Sequence, residues 1–197
     1  MPEPASFEAA IPFPREIEAL ARKIDRPLVL VGLMGVGKTS VGRKLAQVLR
    51  FGFVDADEEI ERAARMTIAE MFDRYGEPCF RDGERRVIAR LMAEATDAGG
   101  RVIACGGGAF VDPATRALIG ERGLAIWLDG EVETLLERVG RKSNRPLLQQ
   151  GDPRAILTRL KAERAPAYAE APIRVQSEAG PHQRTVVAIL AALETYP

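Results

Sequence analysis

Two stretches of this chain carry residue types and spacings suited to a phosphorylated ligand. "GLMGVGKT", Gly32 to Thr39, fits G-x-x-x-x-G-K-[ST] between an apolar run and a helical pattern. Glycines such as Gly35 and Gly37 let the backbone curl, so that successive N–H groups from Val36 to Ser40 face phosphate oxygens. Lys38 offers a point charge to the β- and γ-phosphates, Thr39 a hydroxyl to Mg²⁺, and the helix N-terminus a partial positive charge. A ligand-free glycine turn is the plain alternative, and the match at all eight positions weighs against it. The second stretch, "FVDADEEIE", places Asp55 and Asp57 at the end of an apolar run. Acids there are ordinary helix caps, and Asp57 is the expected one. Ligands of open α/β sheets also collect at the carboxyl ends of strands, so capping and chemistry both stand.

Further signals follow in order. "CFRDGERR" comes after Gly76 and Pro78, and Arg81 is expected to open a new helix aimed back at the acids. Its planar fork suits a carboxylate, although a lone arginine on a charged helix is usually only solvated. Gly106, Gly107 and Gly108 end another apolar run, which marks close backbone approach, a sharp turn, or simply a loop. "RVGRKSNRPLL" gathers Arg138, Arg141, Lys142 and Arg145, as a nucleic-acid patch or a phosphate-binding lid would. "ERAPAY" puts Arg164 toward the end of a helix.

The elements that must position these residues are legible. "LVLVG", "FGFVDA", "RVIACG", "LAIWLD" and "PIRVQS" read as strands, and all but the outer ones are nearly continuous apolar runs, as in a parallel sheet covered on both faces. Helical patterns fill the gaps, with Asp112-Pro113 and Asp152-Pro153 as N-cap and first-turn pairs. The alternation predicts a doubly wound α/β fold. Residues 1–26 read as a loose arm with one short amphipathic helix, ahead of a single domain at 27–197.

Composition narrows the functions. The 197 residues balance 28 basic against 28 acidic side chains, so no global field favours nucleic acid, and the local basic cluster reads better as a lid. No apolar run is long enough to span a bilayer. The N-terminal residues lack a secretory pattern, and the widely spaced Cys79 and Cys105 are expected as reduced thiols of a cytoplasmic protein. A single histidine, His182, leaves no basis for a histidine triad or a zinc site. The absence of N-K-x-D argues against a guanine-reading switch, which leaves a compact small-molecule kinase as the leading class.

The ordered set "GLMGVGKTSVGRKLA", "FVDADEEIE", "CFRDGERRVI", "ACGGGAF", "NRPLL" and "ERAPAY" closely resembles the shikimate kinase family over about residues 28–193. The resemblance implies a three-layer α/β/α fold with a five-stranded parallel sheet in the order 2-3-1-4-5. It also implies a mobile lid at about 139–152 and a small helical substrate-binding region at about 56–84. The implied reaction is ATP-dependent phosphorylation of the 3-hydroxyl of shikimate, by a monomer with no nucleic-acid or membrane partner. Carried over, Lys38 is the phosphate-loop lysine, Thr39 and Asp55 serve Mg²⁺, and Asp57 is the acceptor-side acid and candidate base. Arg81 and Arg164 grip the carboxylate with the backbone of Gly106, Gly107 and Gly108, and Phe72 and Phe80 wall the pocket. Arg145 reaches the transferring phosphate from the lid, and Arg138 lies on adenine. Glu61 is expected to hold Arg81 in place. A gluconate or nucleoside-monophosphate kinase is the alternative.

Overall fold

The computed structural model describes residues 14–97, 100–140 and 151–197. Its frame is a parallel five-stranded sheet in the order β2-β3-β1-β4-β5. The strands are β1 (Leu28–Val31), β2 (Gly52–Asp55), β3 (Arg101–Ala104), β4 (Leu124–Asp129) and β5 (Ile173–Gln176). Each lies within the expected run and is at most two residues shorter.

β1 and β4 are buried at every position, because helices cover both faces of the sheet centre. Leu28, Val29, Leu30 and Val31 are wholly inaccessible, and each such side chain contributes about 1.5–3 kcal/mol by burial. The edge strand β5 alternates instead: Ile173 and Val175 face the core, Arg174 and Gln176 face out. Trp127, expected in the core, is buried on β4 beneath the Arg174 guanidinium.

The helices that matter for the site are α2 (Lys38–Leu49), α3 (Ala56–Ala64), α4 (Ile68–Asp97), α5 (Pro113–Arg122), α6 (Val132–Gly140), α7 (Pro153–Tyr168) and α8 (His182–Thr195). Asp112 and Asp152 cap α5 and α7 as expected, each accepting backbone N–H groups of the first turn. The N-terminal helix α1 (Pro14–Lys23) packs on α2, with Ile17, Leu20 and Ala21 against the core. No helix of the described residues is long and apolar enough to cross a membrane.

Two local expectations are corrected. Asp55, not Asp57, caps α3: the strand runs through Asp55, whose Oδ1 accepts the Asp57 backbone N–H at 3.0 Å. The helix carrying Arg81 starts earlier than expected. α4 is two helical segments joined at Gly76, whose φ of 75° and ψ of 171° only glycine adopts readily. Pro78 falls in the first turn of the second segment, where its missing N–H has no helical role, so Arg81 sits a turn inside the helix.

Candidate active site

Parallel strands bring their carboxyl ends to one edge, and the loops after β1, β2 and β3 meet there. The loop after β1 takes positive φ at Gly32, Gly35 and Gly37 (134°, 82° and 96°), the curled backbone its glycines implied. Lys38 Nζ folds back onto the carbonyls of Gly32 and Leu33 at 2.8 and 3.0 Å, which holds its charge over the loop. Val36 is buried, and Ser40 follows Thr39 in the first turn of α2.

Thr39 and Asp55 touch directly. Thr39 Oγ1 donates to Asp55 Oδ2 at 2.7 Å, while the other oxygen of Asp55 holds the α3 N-terminus. A hydroxyl and a carboxylate at the mouth of a phosphate loop suit Mg²⁺, which retains several waters and takes few protein ligands. Among the described residues no group of three or more His, Cys, Asp or Glu is placed to hold a metal ion.

The glycine triplet lies close against the ends of charged side chains. A Cβ on Gly106 would lie 2.7 Å from Asp57 Oδ1 and 2.9 Å from Glu84 Oε1. On Gly108 it would meet Arg81 Nη2 at 2.5 Å, whereas on Gly107 it would make ordinary contact with Arg164 Nη1 and Met34 N at 3.4 Å. A side chain on Gly106 or Gly108 would displace the ends of the Asp57, Glu84 and Arg81 side chains, so the triplet is the floor on which these residues and Arg164 converge.

Electrostatics on this floor are strained. Burial, then the neighbouring Asp55 carboxylate, push the Asp57 carboxyl up to about 6, against the pull of Lys38. Glu84, only 2% exposed, is also raised, by burial first, with Arg81 pulling it down. Arg81 donates from Nη1 to Glu84 at 2.6 Å and from Nη2 and Nε to Glu77 at 3.0 and 3.2 Å. Burial opposes the Arg81 charge, and the two glutamates outweigh it and raise its pKa.

Glu61 does not hold Arg81. Its carboxylate accepts the Ile68 N–H at 3.0 Å and caps the start of α4, because α3 ends in a turn at Arg65 with φ of 55°. The missed partner Glu84 had a signal: it follows Arg81 by three residues, the spacing of neighbours on one helix face.

Phe72 and Phe80 stack with ring centroids 4.7 Å apart, and Phe80 joins Ile60 and Met71 in a small apolar cluster under the acceptor side. Arg81 lies over the Phe80 ring at 5.1 Å. Arg164 donates to the Gly107 carbonyl at 2.9 Å.

Beside the phosphate loop, Arg138 in the last turn of α6 bridges to Val36 O at 3.2 Å, Ser177 Oγ at 3.1 Å and the Glu178 carbonyl. "QSEAGP" offered no motif, yet it supplies Ser177, whose hydroxyl also donates to Val36 O at 2.9 Å. His182 follows it. Its Nδ1 is buried with no hydrogen-bond partner, and its ring lies where a Cβ on Gly37 would fall, 2.9 Å from Cε1. Burial, then Arg138 and Lys44, lower its pKa, so the ring is neutral at pH 7. Cys105, wholly buried beside these acids, has its thiol pushed up by burial, while Cys79 is exposed; neither forms a disulfide. Arg145 and most of the expected lid lie outside the described residues.

Known proteins are similar to this chain in sequence and in fold. The family model for shikimate kinase matches residues 34–194. A shikimate kinase of Novosphingobium aromaticivorans is 64% identical over 189 residues, 96% of this chain and 98% of that protein. A solved shikimate kinase from Acinetobacter baumannii in complex with shikimate superposes with a TM-score of 0.82 at 35% identity, covering 89% of this chain and 97% of that one. A gluconokinase from Sinorhizobium meliloti shares the fold alone, with a TM-score of 0.55 at 19% identity and 87% and 93% coverage. The chain belongs to the shikimate kinase family.

Proposed function

We infer that this protein transfers the γ-phosphoryl group of ATP to the 3-hydroxyl of shikimate, giving shikimate 3-phosphate and ADP on the route to chorismate and the aromatic amino acids. The observation that carries the reading is that Asp57 and Arg81 flank the glycine triplet directly beside the phosphate loop, as an acceptor half would require. A module that only bound nucleotide would have no use for it.

Shikimate is a small anion bearing three hydroxyls, so its site needs cations at one end and an acid at the other. Arg81 and Arg164 take the carboxylate. A guanidinium fork suits two oxygens in one plane, and Arg81, with five N–H groups, gives three to Glu84 and Glu77. Asp57 takes the reacting hydroxyl, and Phe72 and Phe80 wall the ring. The loop from Gly35 to Ser40 holds the phosphates through its N–H groups, Lys38 neutralises charge on the transferring group, and Arg138 serves the nucleoside end. Arg145 completes the charge neutralisation from the lid.

Phosphoryl transfer passes through a loose transition state, so positioning and charge dominate over early proton removal. An Asp57 carboxyl near 6 is suited to orient the hydroxyl first and receive its proton late. Thr39 and Asp55 would hold Mg²⁺, which when bound supplies charge neutralisation to the phosphates. The same reading takes the enzyme as a cytoplasmic monomer, and sedimentation of the purified chain tests the oligomeric state.

ADP release is to be measured by a coupled assay with shikimate, gluconate and nucleoside monophosphates as acceptors. Saturable turnover with shikimate alone is expected. Turnover of gluconate or a nucleotide without shikimate would overturn the assignment.

A further inference from the structure

Arg164 is held in an unusual way. Its Nη1 shares the Gly107 carbonyl with the hydroxyl of Tyr168, one helical turn along α7. Tyr168 is 2% exposed, and its ring packs on Trp127 of β4 with centroids 5.9 Å apart. Burial raises the phenol pKa, and the nearby Arg164 moderates the rise, so the group is an O–H donor at neutral pH. Residues four apart on a helix share a face, so α7 sends both side chains to one acceptor atom.

A carbonyl oxygen has two lone pairs, and here two donors occupy it. The peptide plane is rigid, so fixing the Gly107 oxygen also fixes the orientation of Gly108. Gly108 is the residue against which the Arg81 guanidinium lies. One phenol, braced by the sheet through Trp127, thus bears on both arginines of the acceptor site. It reaches Arg164 by the shared carbonyl and Arg81 by the peptide that follows.

The geometry points to Tyr168 as a positioning residue for acceptor binding: its O–H on the Gly107 carbonyl fixes the glycine floor and the Arg164 fork in the orientation that meets the substrate carboxylate. This rests on the reading of the site as a shikimate site. The plainer view makes Tyr168 a core residue that merely satisfies its hydroxyl.

Steady-state kinetics of Tyr168→Phe, alone and combined with Arg164→Ala, separates the two. Phenylalanine keeps the ring on Trp127 and removes only the donor. The expected result is a rise of about tenfold in KM for shikimate, the scale of one lost hydrogen bond to a fixed group, with KM for ATP within about twofold of wild type. In the Arg164→Ala background the same substitution should raise KM for shikimate by no more than about threefold, because only the route through the Gly107–Gly108 peptide to Arg81 is left. A full tenfold loss in both backgrounds, an equal rise in both Michaelis constants, or a wild-type KM for shikimate in Tyr168→Phe would each overturn the inference. Absence of shikimate turnover by the wild-type chain would overturn the reading of the site and this inference with it.

Discussion

Asp57 is costly to the empty protein, and that cost can be read out without any substrate. Its carboxyl stands at about 6 in the fold against an ordinary 3.8, chiefly through burial and then the Asp55 charge. Below the unfolded-chain value both states are protonated and the fold bears no penalty. Between about pH 4 and pH 6 the unfolded chain ionises this carboxyl while the folded protein still holds it protonated, so stability falls by about 2–3 kcal/mol and stays lower above 6. Asp57→Asn removes the charge while leaving the backbone N–H that Asp55 accepts, so the cap of α3 persists.

The variant should therefore melt about 5–10 °C above wild type at pH 8, in chelator and without nucleotide, for a chain of this size. The gain should shrink to about a fifth of that at pH 4, where the unfolded carboxyl, with its ordinary value of 3.8, is itself nearly half protonated. The same variant should lose shikimate turnover while binding ADP like wild type. Calorimetric melts of both proteins across this pH range make the test. A variant no more stable at pH 8, or one with the same gain at pH 4 and pH 8, would refute the reasoning.

Arg81→Lys keeps a charge but loses the planar fork that spans Glu84, Glu77 and the acceptor. KM for shikimate should rise by about 30- to 100-fold, with KM for ATP nearly unchanged. Glu84→Gln takes away the charge that holds Arg81 Nη1, and a rise of about 3- to 10-fold in the same constant is expected from steady-state kinetics. Gly108→Ala would push a methyl to 2.5 Å from the Arg81 guanidinium and should impair acceptor binding, seen as weaker shikimate in isothermal titration. Gly120→Ala, inside α5 with nothing within 4 Å, should instead stabilise the fold by about 0.5–1 kcal/mol in denaturant melts and leave kinetics alone. Lys38→Met should weaken ADP titration itself, since the ammonium is seated over the phosphate loop.

The inner strands were legible because burial on both faces makes them continuous apolar runs, and the phosphate loop because its geometry dictates its glycines. Family resemblance supplied the strand order. What local sequence could not settle was where carboxylates turn. Asp55 and Asp57 differ by two positions, and only the strand's last residue decides which of them caps α3. Glu61 lies on a plausible face, yet the turn at Arg65 sends it to the Ile68 amide. Glu84 and Tyr168 were accessible in principle from the i+3 and i+4 spacings to Arg81 and Arg164. Ser177 and His182 were not, because their partners are a backbone carbonyl and a glycine 141 and 145 positions away in the chain.

The central claim is that the acceptor is the 3-hydroxyl of shikimate, and the product states this directly. Phosphorus NMR of the mixture after incubation with ATP, Mg²⁺ and shikimate should show one new phosphomonoester, coupled to the proton on C3. A phosphoester at the 4- or 5-hydroxyl, or none at all, would contradict the account.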